Sequence, residues 1–300
     1  GPDCGTAIID GVPLAFANVV PRGDIAIVGA SGTGIQEVSC LIARAGEGIS
    51  HAIGVGGRDL TEAVGAISTL TVLDWLERDV ATHHIVLISK PPAPSVVDQI
   101  TDFIRRSSKS YTVCLVGSDD LALPDNAKLT TTLKDAAAAA VKNSKGLEAL
   151  PVVQQVPEVG SYARGLYSGG TLAAEAQVVF LSHRQPVLSN VPVPGAGLFT
   201  SERTNHIMID LGDDRFTRGR PHPMIDPAVR DEHICAALSD PDVGAVLLDV
   251  VIGFGAHPDP AGHLAGLLDR HGRSGSVVIA SVTGTDEDPQ VRAKQVSVLE

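Results

Sequence analysis

The chain has 300 residues, a formal net charge of −12, 44% hydrophobic residues and only 3% aromatic residues. This length suggests two domains, and the acidic balance argues against nucleic acid as a partner, because nucleic-acid-binding proteins usually present a basic surface. No apolar run is long enough for a membrane span, no signal peptide opens the chain, and its four cysteines are scattered without a CxxC pair. We therefore expect a cytoplasmic protein with no membrane contact, reduced thiols, no metal site and aliphatic cores.

Strand and helix signals alternate through the first half of the chain. Apolar runs predict strands at residues 24–30, 51–55, 84–89 and 111–116, and the segments between them predict helices, with a closing helix at 135–141. Repeated strand, loop and helix indicate right-handed βαβ crossovers and a parallel sheet. The fold class is therefore predicted to be α/β.

The second half repeats this pattern. Strands are predicted to end at Tyr167, Leu211, Ile252 and Val282, and a last helix begins near Gln290. A segment rich in Pro and Gly, residues 182–204, interrupts the pattern and is interpreted as a surface insertion. The chain is thus predicted to hold two tandem flavodoxin-like domains, at residues 22–145 and 161–300, joined by a linker at 146–160; the second domain would lack its last elements.

Glycine-rich loops follow the first strand of each half. They contain the predicted phosphate-binding residues Ser31, Gly32, Thr33 and Gly34 in the first half and Ser168, Gly169, Gly170 and Thr171 in the second. A loop that leads into a helix offers free backbone N–H groups and the positive end of the helix dipole to an anion. The alternative is that these glycines serve only turns or helix packing. Neither loop is a dinucleotide fingerprint or a P-loop.

The segment of residues 210–226 concentrates polar side chains after a predicted strand. Its arginines, Arg218 and Arg220 among them, suit the capture of a carboxylate or phosphate, and His222 stands between two prolines where it could act as acid, base or nucleophile. The alternative is a surface loop held by ion pairs.

Ten motifs distributed over the whole chain resemble the FdrA family of acyl-CoA-synthetase-like proteins, which are related to succinyl-CoA synthetase. They are GPDCGT, PLAFAN, GASGTGIQEV, GGRDL, SKPP, GLYSGGTLAAEA, IDLGDD, GRPHPMIDP, LLDVVIGFGA and VTGTDEDPQ. The resemblance implies that both termini are native and that the two halves correspond to the ligase domains of the α and β chains of succinyl-CoA synthetase. Residues 1–21 would then be the tail of a missing CoA-binding-like domain, through which CoA would bind, and a C-terminal remainder would also be missing.

The resemblance also implies a shared phosphate site. Ser31, Gly32 and Thr33 match one phosphate loop, and Gly253, Gly255 and Ala256 match the other, so we expect the two loops to face each other. The loop that carries the phosphohistidine in succinyl-CoA synthetase matches residues 118–132, which contain no histidine. The glutamate that supports this histidine matches Lys90, which reverses the charge. Phosphate relay through histidine is therefore not expected.

Lys90 ends a predicted buried strand at the loop edge. A lone buried lysine is costly unless it is paired or serves an anion, so we expect Lys90 to attract phosphate directly. The alternative is an ion pair with a nearby carboxylate such as Asp59. Lys90, His222 and Arg220 are the predicted catalytic residues, and Arg218 and Arg58 are predicted to bind a substrate carboxylate.

Three functions remain open from the sequence. The first is transfer of an acyl or carbamoyl group to or from phosphate. FdrA-family proteins are associated with ureide catabolism and with an oxamate carbamoyltransferase activity. In that reaction carbamoyl phosphate and oxamate give oxalurate and phosphate. The second is ATP-dependent acyl-CoA ligation, and the third is a non-catalytic ligand-binding subunit. The ligand would be phosphate or carbamoyl phosphate with no certain cofactor. Companion subunits are expected, and a homo-oligomer is a further expectation.

Overall fold

The chain divides into two compact units, Gly1–Leu150 and Pro151–Glu300. A computed structural model describes residues 4–117, 121–147, 160–201, 204–271 and 275–300. Each unit contains its own sheet with helices, so the predicted α/β class is confirmed. Of the predicted linker, residues 148–159 lie outside the described residues. Among the described helices, none combines the length and apolar character needed to cross a bilayer.

The first unit has seven strands and four helices among its described residues. The strands are β1 (Thr6–Ile9), β2 (Val12–Ala15), β3 (Arg22–Gly29), β4 (Ile49–Gly54), β5 (His84–Ser89), β6 (Ser110–Leu115) and β7 (Ala127–Thr130), and the helices are α1 (Gly32–Arg44), α2 (Ile67–Arg78), α3 (Pro94–Arg106) and α4 (Leu133–Ala140).

Strands β3 to β7 of this sheet are parallel and lie in the order β4-β3-β5-β6-β7. Counted along the chain, this is the 2-1-3-4-5 order of the flavodoxin-like fold, in which ligands bind beyond the carboxyl ends of the strands near the first and third strands. The corresponding strands here are β3 and β5. Helices cover both faces of such a sheet, and Ala26, Ile27 and Val28 of β3 are fully buried, as the continuous apolar run predicts.

Residues 6–15 form an antiparallel hairpin, β1–β2, that extends this sheet. The sequence analysis expected residues 1–21 to be the tail of a preceding domain, but β1 pairs with β4 in the first unit. Because β1 runs antiparallel to β4, its first residue, Thr6, lies beside Gly54 at the carboxyl edge of the parallel strands. The hairpin therefore reaches the edge at which a ligand would bind.

The second unit has six strands and five helices among its described residues. The strands are β8 (Tyr162–Tyr167), β9 (Val187–Ser189), β10 (Gly197–Leu198), β11 (His206–Asp210), β12 (Val243–Val251) and β13 (Val277–Thr283), and the helices are α5 (Gly170–Ser182), α6 (Asp214–Thr217), α7 (Asp231–Ser239), α8 (Pro260–His271) and α9 (Arg292–Leu299).

The second sheet is parallel throughout, in the order β10-β9-β11-β8-β12-β13. Its four longest strands repeat the 2-1-3-4 part of the first sheet. The segment 182–204, expected to be a surface insertion, instead contributes β9 and β10 to the sheet, so that expectation is wrong. The reason is a buried side chain: Asn190 exchanges two hydrogen bonds of 2.9 and 3.0 Å with the backbone of Asp210 and holds this segment against β11.

Candidate functional site at the carboxyl ends of the strands

The first predicted phosphate loop lies where β3 leads into α1. Ser31 has an extended backbone and is the N-cap of α1, and its hydroxyl accepts the Gly34 N–H at 3.2 Å. The first N–H groups of a helix have no partner within it, so Gly32 and Thr33 present theirs at this edge. The first turn of α1 carries no acidic side chain. This helix start therefore has the free amides and the positive dipole end that favour an anion.

The glycines of this loop also have a packing role. A Cβ on Gly32 would lie 2.7 Å from Oγ1 of Thr6, and a Cβ on Gly29 would lie 2.6 Å from Cγ1 of Ile35. Both positions therefore require glycine because a neighbouring side chain approaches closely. The alternative weighed from the sequence, glycine for packing, applies here in addition to any role in anion binding.

Lys90 follows β5, the strand beside β3. The Ala30 N–H donates to the Ile88 carbonyl at 2.9 Å, which brings the two strand ends side by side. Lys90 is exposed, so the expectation that it ends a buried strand as a buried lysine is wrong; the buried run stops one residue earlier, at Ser89. Arg58, a predicted carboxylate ligand, is exposed in the loop that follows β4 on the other side of β3.

Asp59 serves as a helix cap. Its carboxylate accepts the backbone N–H groups of Ser68 and Thr69, each at 2.8 Å, and the Thr69 hydroxyl at 2.7 Å. Burial alone would raise the pKa of Asp59, but the hydrogen bonds from Thr69 and Ser68 outweigh it and lower the pKa below its ordinary value. The suggested Lys90–Asp59 ion pair is not among the described contacts of Asp59, and its carboxylate stabilises the start of α2.

The second predicted phosphate loop, between β8 and α5, is occupied by a side chain of the same unit. The Asp249 carboxylate accepts the backbone N–H groups of Ser168 at 2.8 and 3.0 Å and of Gly169 at 3.1 Å, and the Ser168 hydroxyl at 2.8 Å. The residues predicted to bind phosphate here therefore bind an internal carboxylate. Gly170 and Thr171 follow as the first residues of α5, and the Asp210 carboxylate lies against Gly170.

Asp249 forms a buried ion pair with Arg230. Nη1 of Arg230 donates to Oδ1 of Asp249 at 2.7 Å, and the side chains are 5% and 1% exposed. The same nitrogen donates to the carbonyl oxygens of Asp249 and Leu166. The sequence analysis missed both residues, although an aspartate inside the apolar run AVLLDVVI was a usable signal. A charge in such a strand must be paired.

His222 lies beside this ion pair. Its Nδ1 accepts the Met224 N–H at 3.2 Å, so a neutral ring carries its proton on Nε2, and Nε2 points toward Gly212. Burial lowers the pKa of His222, the Asp249 carboxylate raises it in part, and the Arg230 cation lowers it again. His222 is therefore a neutral donor at pH 7. An attack through Nδ1 would require it to give up the hydrogen bond from Met224.

Of the other predicted residues of the second unit, the arginines are exposed, and the glycines lie in a loop that a side chain of the same unit caps. Arg218 and Arg220 are exposed just after the short helix α6. Gly253 has a φ of +125° and Gly255 a φ of +80°, which favours glycine at both, and the Gly253 N–H donates to Oε1 of Gln290 at 3.1 Å. Ala256 is partly buried in the same loop.

The first turn of α8, which follows this loop, has internal acceptors as well. The Ala261 N–H donates to Oε1 of Gln295 at 2.9 Å, and the Gly262 N–H donates to the Asp259 carboxylate at 3.2 Å. The expected anion-binding helix start is therefore capped by side chains of the same unit.

We predict that Asp249→Asn destabilises the second unit strongly. The change leaves the buried Arg230 cation without its counter-charge, and breaking a buried pair by neutralising one partner costs about 3–5 kcal/mol. The free energy of unfolding from urea denaturation followed by circular dichroism measures this loss. The matched control is Asp242→Asn at an exposed position of the same unit. Equal, small effects of both variants would contradict the structural role assigned to Asp249.

We also predict that His222 makes the stability depend on pH. Because its pKa is lower in the folded state, the unfolded chain binds more protons near and below its ordinary value of about 6.5, so stability falls as the pH drops from 7 towards 5. His222→Asn keeps an acceptor for Met224 and should reduce this fall. Urea unfolding at pH 7, 6 and 5 measures it, with the exposed His271→Asn as control. An unchanged pH dependence in His222→Asn would refute the assignment.

Among curated proteins, the chain is similar to the uncharacterized protein YahF of Escherichia coli (strain K12). The two are 38% identical over 322 residues, which covers 100% of this chain and 62% of YahF. The chain therefore spans less than two thirds of the length of this relative.

Solved structures match the chain only weakly. The dinucleotide-forming acetyl-coenzyme A synthetase 1 of Ca. Korarchaeum cryptofilum, in complex with phosphate and ADP, is 17% identical with a TM-score of 0.37 and covers 100% of this chain and 65% of that chain. PH0766 of Pyrococcus horikoshii OT3 is 14% identical with a TM-score of 0.35 and covers 98% and 68%. Similarity at these TM-scores is too low to support an inference about fold or function.

Two family models match separate parts of the chain. Residues 21–114 match the model of the CoA binding domain, and residues 166–300 match that of CoA-ligase. The sequence analysis assigned a ligase-type domain to the first half and expected the CoA-binding-like domain outside the chain, whereas the CoA binding match falls on the first unit. The first unit is thus similar to CoA binding domains and the second unit to CoA-ligase domains.

Proposed function

We propose that this chain belongs to an acyl-CoA-synthetase-like enzyme that transfers an acyl or carbamoyl group to or from phosphate, with the phosphate group bound at the start of α1. The observation that supports this is the difference between the three predicted phosphate loops. Loop amides before α5 donate to Asp249, and the first turn of α8 donates to Gln295 and Asp259. At α1 the only side-chain acceptor among the described contacts is the hydroxyl of Ser31.

Two basic side chains support an anion at α1. Lys90 is exposed at the end of β5, next to β3, and Arg58 is exposed in the loop after β4, on the opposite side of β3. Both follow carboxyl ends of strands, where ligands of this fold bind. A lysine ammonium binds phosphate as a point charge, and an arginine offers a fork to a second oxygen or a carboxylate. In this proposal Lys90 attracts the phosphate and Arg58 binds the carboxylate of the substrate.

For the second unit we propose that its exposed arginines are able to bind a carboxylate. Arg218 and Arg220 are exposed and have the chemistry for this task, and His222 is a neutral hydrogen-bond donor. With oxamate as acceptor, carbamoyl phosphate would give oxalurate and phosphate. Because the chain covers 62% of its curated relative, this activity, companion subunits, a homo-oligomer and a cytoplasmic location are proposals about the whole protein.

ATP-dependent acyl-CoA ligation is the second candidate function. It is favoured by the CoA binding match on residues 21–114 and the CoA-ligase match on residues 166–300. The free start of α1 suits a phosphate of CoA as well as an acyl phosphate. Against it stands the absence of histidine from residues 118–132, of which 118–120 lie outside the described residues.

A thermal-shift panel of phosphate, carbamoyl phosphate, oxamate, CoA and ATP distinguishes these functions. A ligand at a hundredfold excess over its Kd adds about 2.7 kcal/mol to the free energy of unfolding. Stabilisation by carbamoyl phosphate and by oxamate supports carbamoyl transfer, whereas stabilisation by CoA and ATP supports ligation. A chain that responds to none of the five contradicts both and leaves the non-catalytic subunit.

We predict that Lys90→Met weakens the binding of phosphate and carbamoyl phosphate. Loss of a charge-assisted hydrogen bond costs about 1.5–3 kcal/mol, which is about 10- to 150-fold in affinity. Stability should change little because Lys90 is exposed. Isothermal titration calorimetry measures both variants, and Lys128→Met, at an exposed position of β7 in the same unit, is the matched control. Equal affinities in Lys90→Met and the unmodified chain would remove Lys90 from the site.

We predict no acid-labile phosphoenzyme after incubation with labelled ATP. The loop that matches the phosphohistidine loop contains no histidine, and Nδ1 of His222 is engaged with the Met224 N–H. Phosphate on histidine is lost in acid and retained in base, so filter binding after each treatment detects it. A base-stable label that disappears in His222→Asn would overturn the preference for carbamoyl transfer and restore ligation.

A further inference from the structure

The hairpin β1–β2 brings the hydroxyl of a buried threonine to the start of α1. Thr6 is the first residue of β1 and is 4% exposed, and its Oγ1 would lie 2.7 Å from a Cβ on Gly32, the first residue of α1. The Cβ of Thr6 is 3.7 Å from this Cβ position on Gly32, so the Thr6 hydroxyl is the nearer atom and points towards the start of α1. The Thr6 side chain therefore lies beside Gly32 at the helix start proposed to bind phosphate, on the side of β4.

Neither of the two buried threonines at this helix start has a described hydrogen bond through its hydroxyl. Thr6 is one, and Thr33, on the first turn of α1, is 7% exposed and is the other. Neighbouring serines are engaged: the Ser31 hydroxyl accepts from Gly34, and the Ser89 hydroxyl donates to the Lys90 carbonyl. Neither oxygen is among the fully enclosed side-chain atoms that lack a partner, so both hydroxyls remain accessible at this edge and can donate to a bound acceptor.

We propose that the Thr6 hydroxyl donates a hydrogen bond to a phosphoryl group bound at the start of α1, which makes the N-terminal hairpin part of the binding site. This inference rests on the proposed function. A phosphoryl group directs its terminal oxygens to three sides, so one oxygen can accept from the amides of Gly32 and Thr33 while another accepts from Thr6. A carboxylate has only two oxygens, which lie in one plane, so it is less well suited to accept from the α1 amides and from Thr6 at the same time. Thr6 thus favours a phosphoryl ligand over a bare carboxylate.

The charges around Thr6 agree with an anionic ligand. The first turn of α1 has no acidic side chain, and Lys90 lies at the neighbouring strand end. Asp59, the nearest carboxylate in the loop after β4, is fully engaged with α2 through three hydrogen bonds. Among the described side chains of this loop edge, none places a carboxylate on the α1 amides in the way that Asp249 does in the second unit.

Isothermal titration calorimetry with inorganic phosphate, carbamoyl phosphate and oxamate tests the proposal. Thr6→Val keeps the shape of the side chain and removes the hydroxyl, so phosphate and carbamoyl phosphate should bind about tenfold more weakly, the effect of one hydrogen bond to a charged group. Thr6→Ser keeps the hydroxyl and should retain most of the affinity, and oxamate binding should be the same in all forms. Thr101→Val, at another buried threonine in α3, is the matched control and should bind as the unmodified chain does.

The outcomes separate this inference from the proposed function. If the unmodified chain binds phosphate or carbamoyl phosphate and Thr6→Val binds equally well, Thr6 is not a ligand and only this inference fails. If the unmodified chain binds neither, the anion site itself fails and the proposed function with it. Thermal unfolding of each variant checks folding, and Thr6→Ala, which removes the hydroxyl without adding an apolar branch, provides the same comparison if Thr6→Val folds poorly.

Discussion

Helices that begin at the carboxyl ends of parallel strands start with N–H groups that their own turns cannot bond, and at α2, α5 and α8 side chains from other segments supply acceptors. Asp59 accepts from the start of α2, Asp249 from the loop before α5, and Gln295 from the start of α8. Ser168 and Asp249 are 81 residues apart, and Ala261 and Gln295 are 34 apart. The contacts of Asp249 and Gln295 therefore join elements that are far apart in the sequence.

The start of α1 differs from these three because no carboxylate accepts its N–H groups among the described contacts, and α3 likewise has no side-chain cap. Ser31 caps it from within its own loop, and the first turn has no acidic side chain. An anion from solution can occupy this position without competing with an internal one. The hairpin narrows the approach, since Thr6 closes one side of Gly32, and Lys90 remains exposed on the other side of β3. The first N–H groups of every helix need acceptors from outside its own turns. Side chains of the same unit provide them at α2, α5 and α8, whereas at α1 a ligand could provide them, which makes α1 the candidate ligand site.

Asp249 and Arg230 show why the second unit uses its loop differently. Burial of two charges is costly, and the attraction between them offsets that cost only when hydrogen bonds complete the site. Here Ser168, Gly169 and two backbone carbonyls supply these hydrogen bonds, and only Nε of Arg230 is buried without a partner among the described residues of the site. The pair fixes the β8–α5 loop and places a cation next to His222, which helps to keep that ring neutral. The amides of this loop, which lies in the part of the chain that matches CoA-ligase, already donate to Asp249, so a phosphate ligand would have to displace that carboxylate.

The sequence by itself determined the α/β class, the two units and most of their strands, because apolar runs that alternate with loops and helices report local structure and burial directly. It also marked the glycine-rich helix starts and, in AVLLDVVI, an acid that needed a partner. Only the tertiary structure decided which helix starts remain open, because an amide is free or occupied according to residues many positions away, such as Asp249 and Ser168. It likewise decided that Lys90 is exposed and that residues 6–15 join the first sheet. Strands of four residues are not specified by their own composition, and these two are stabilised by pairing, β2 with β1 and β1 with β4.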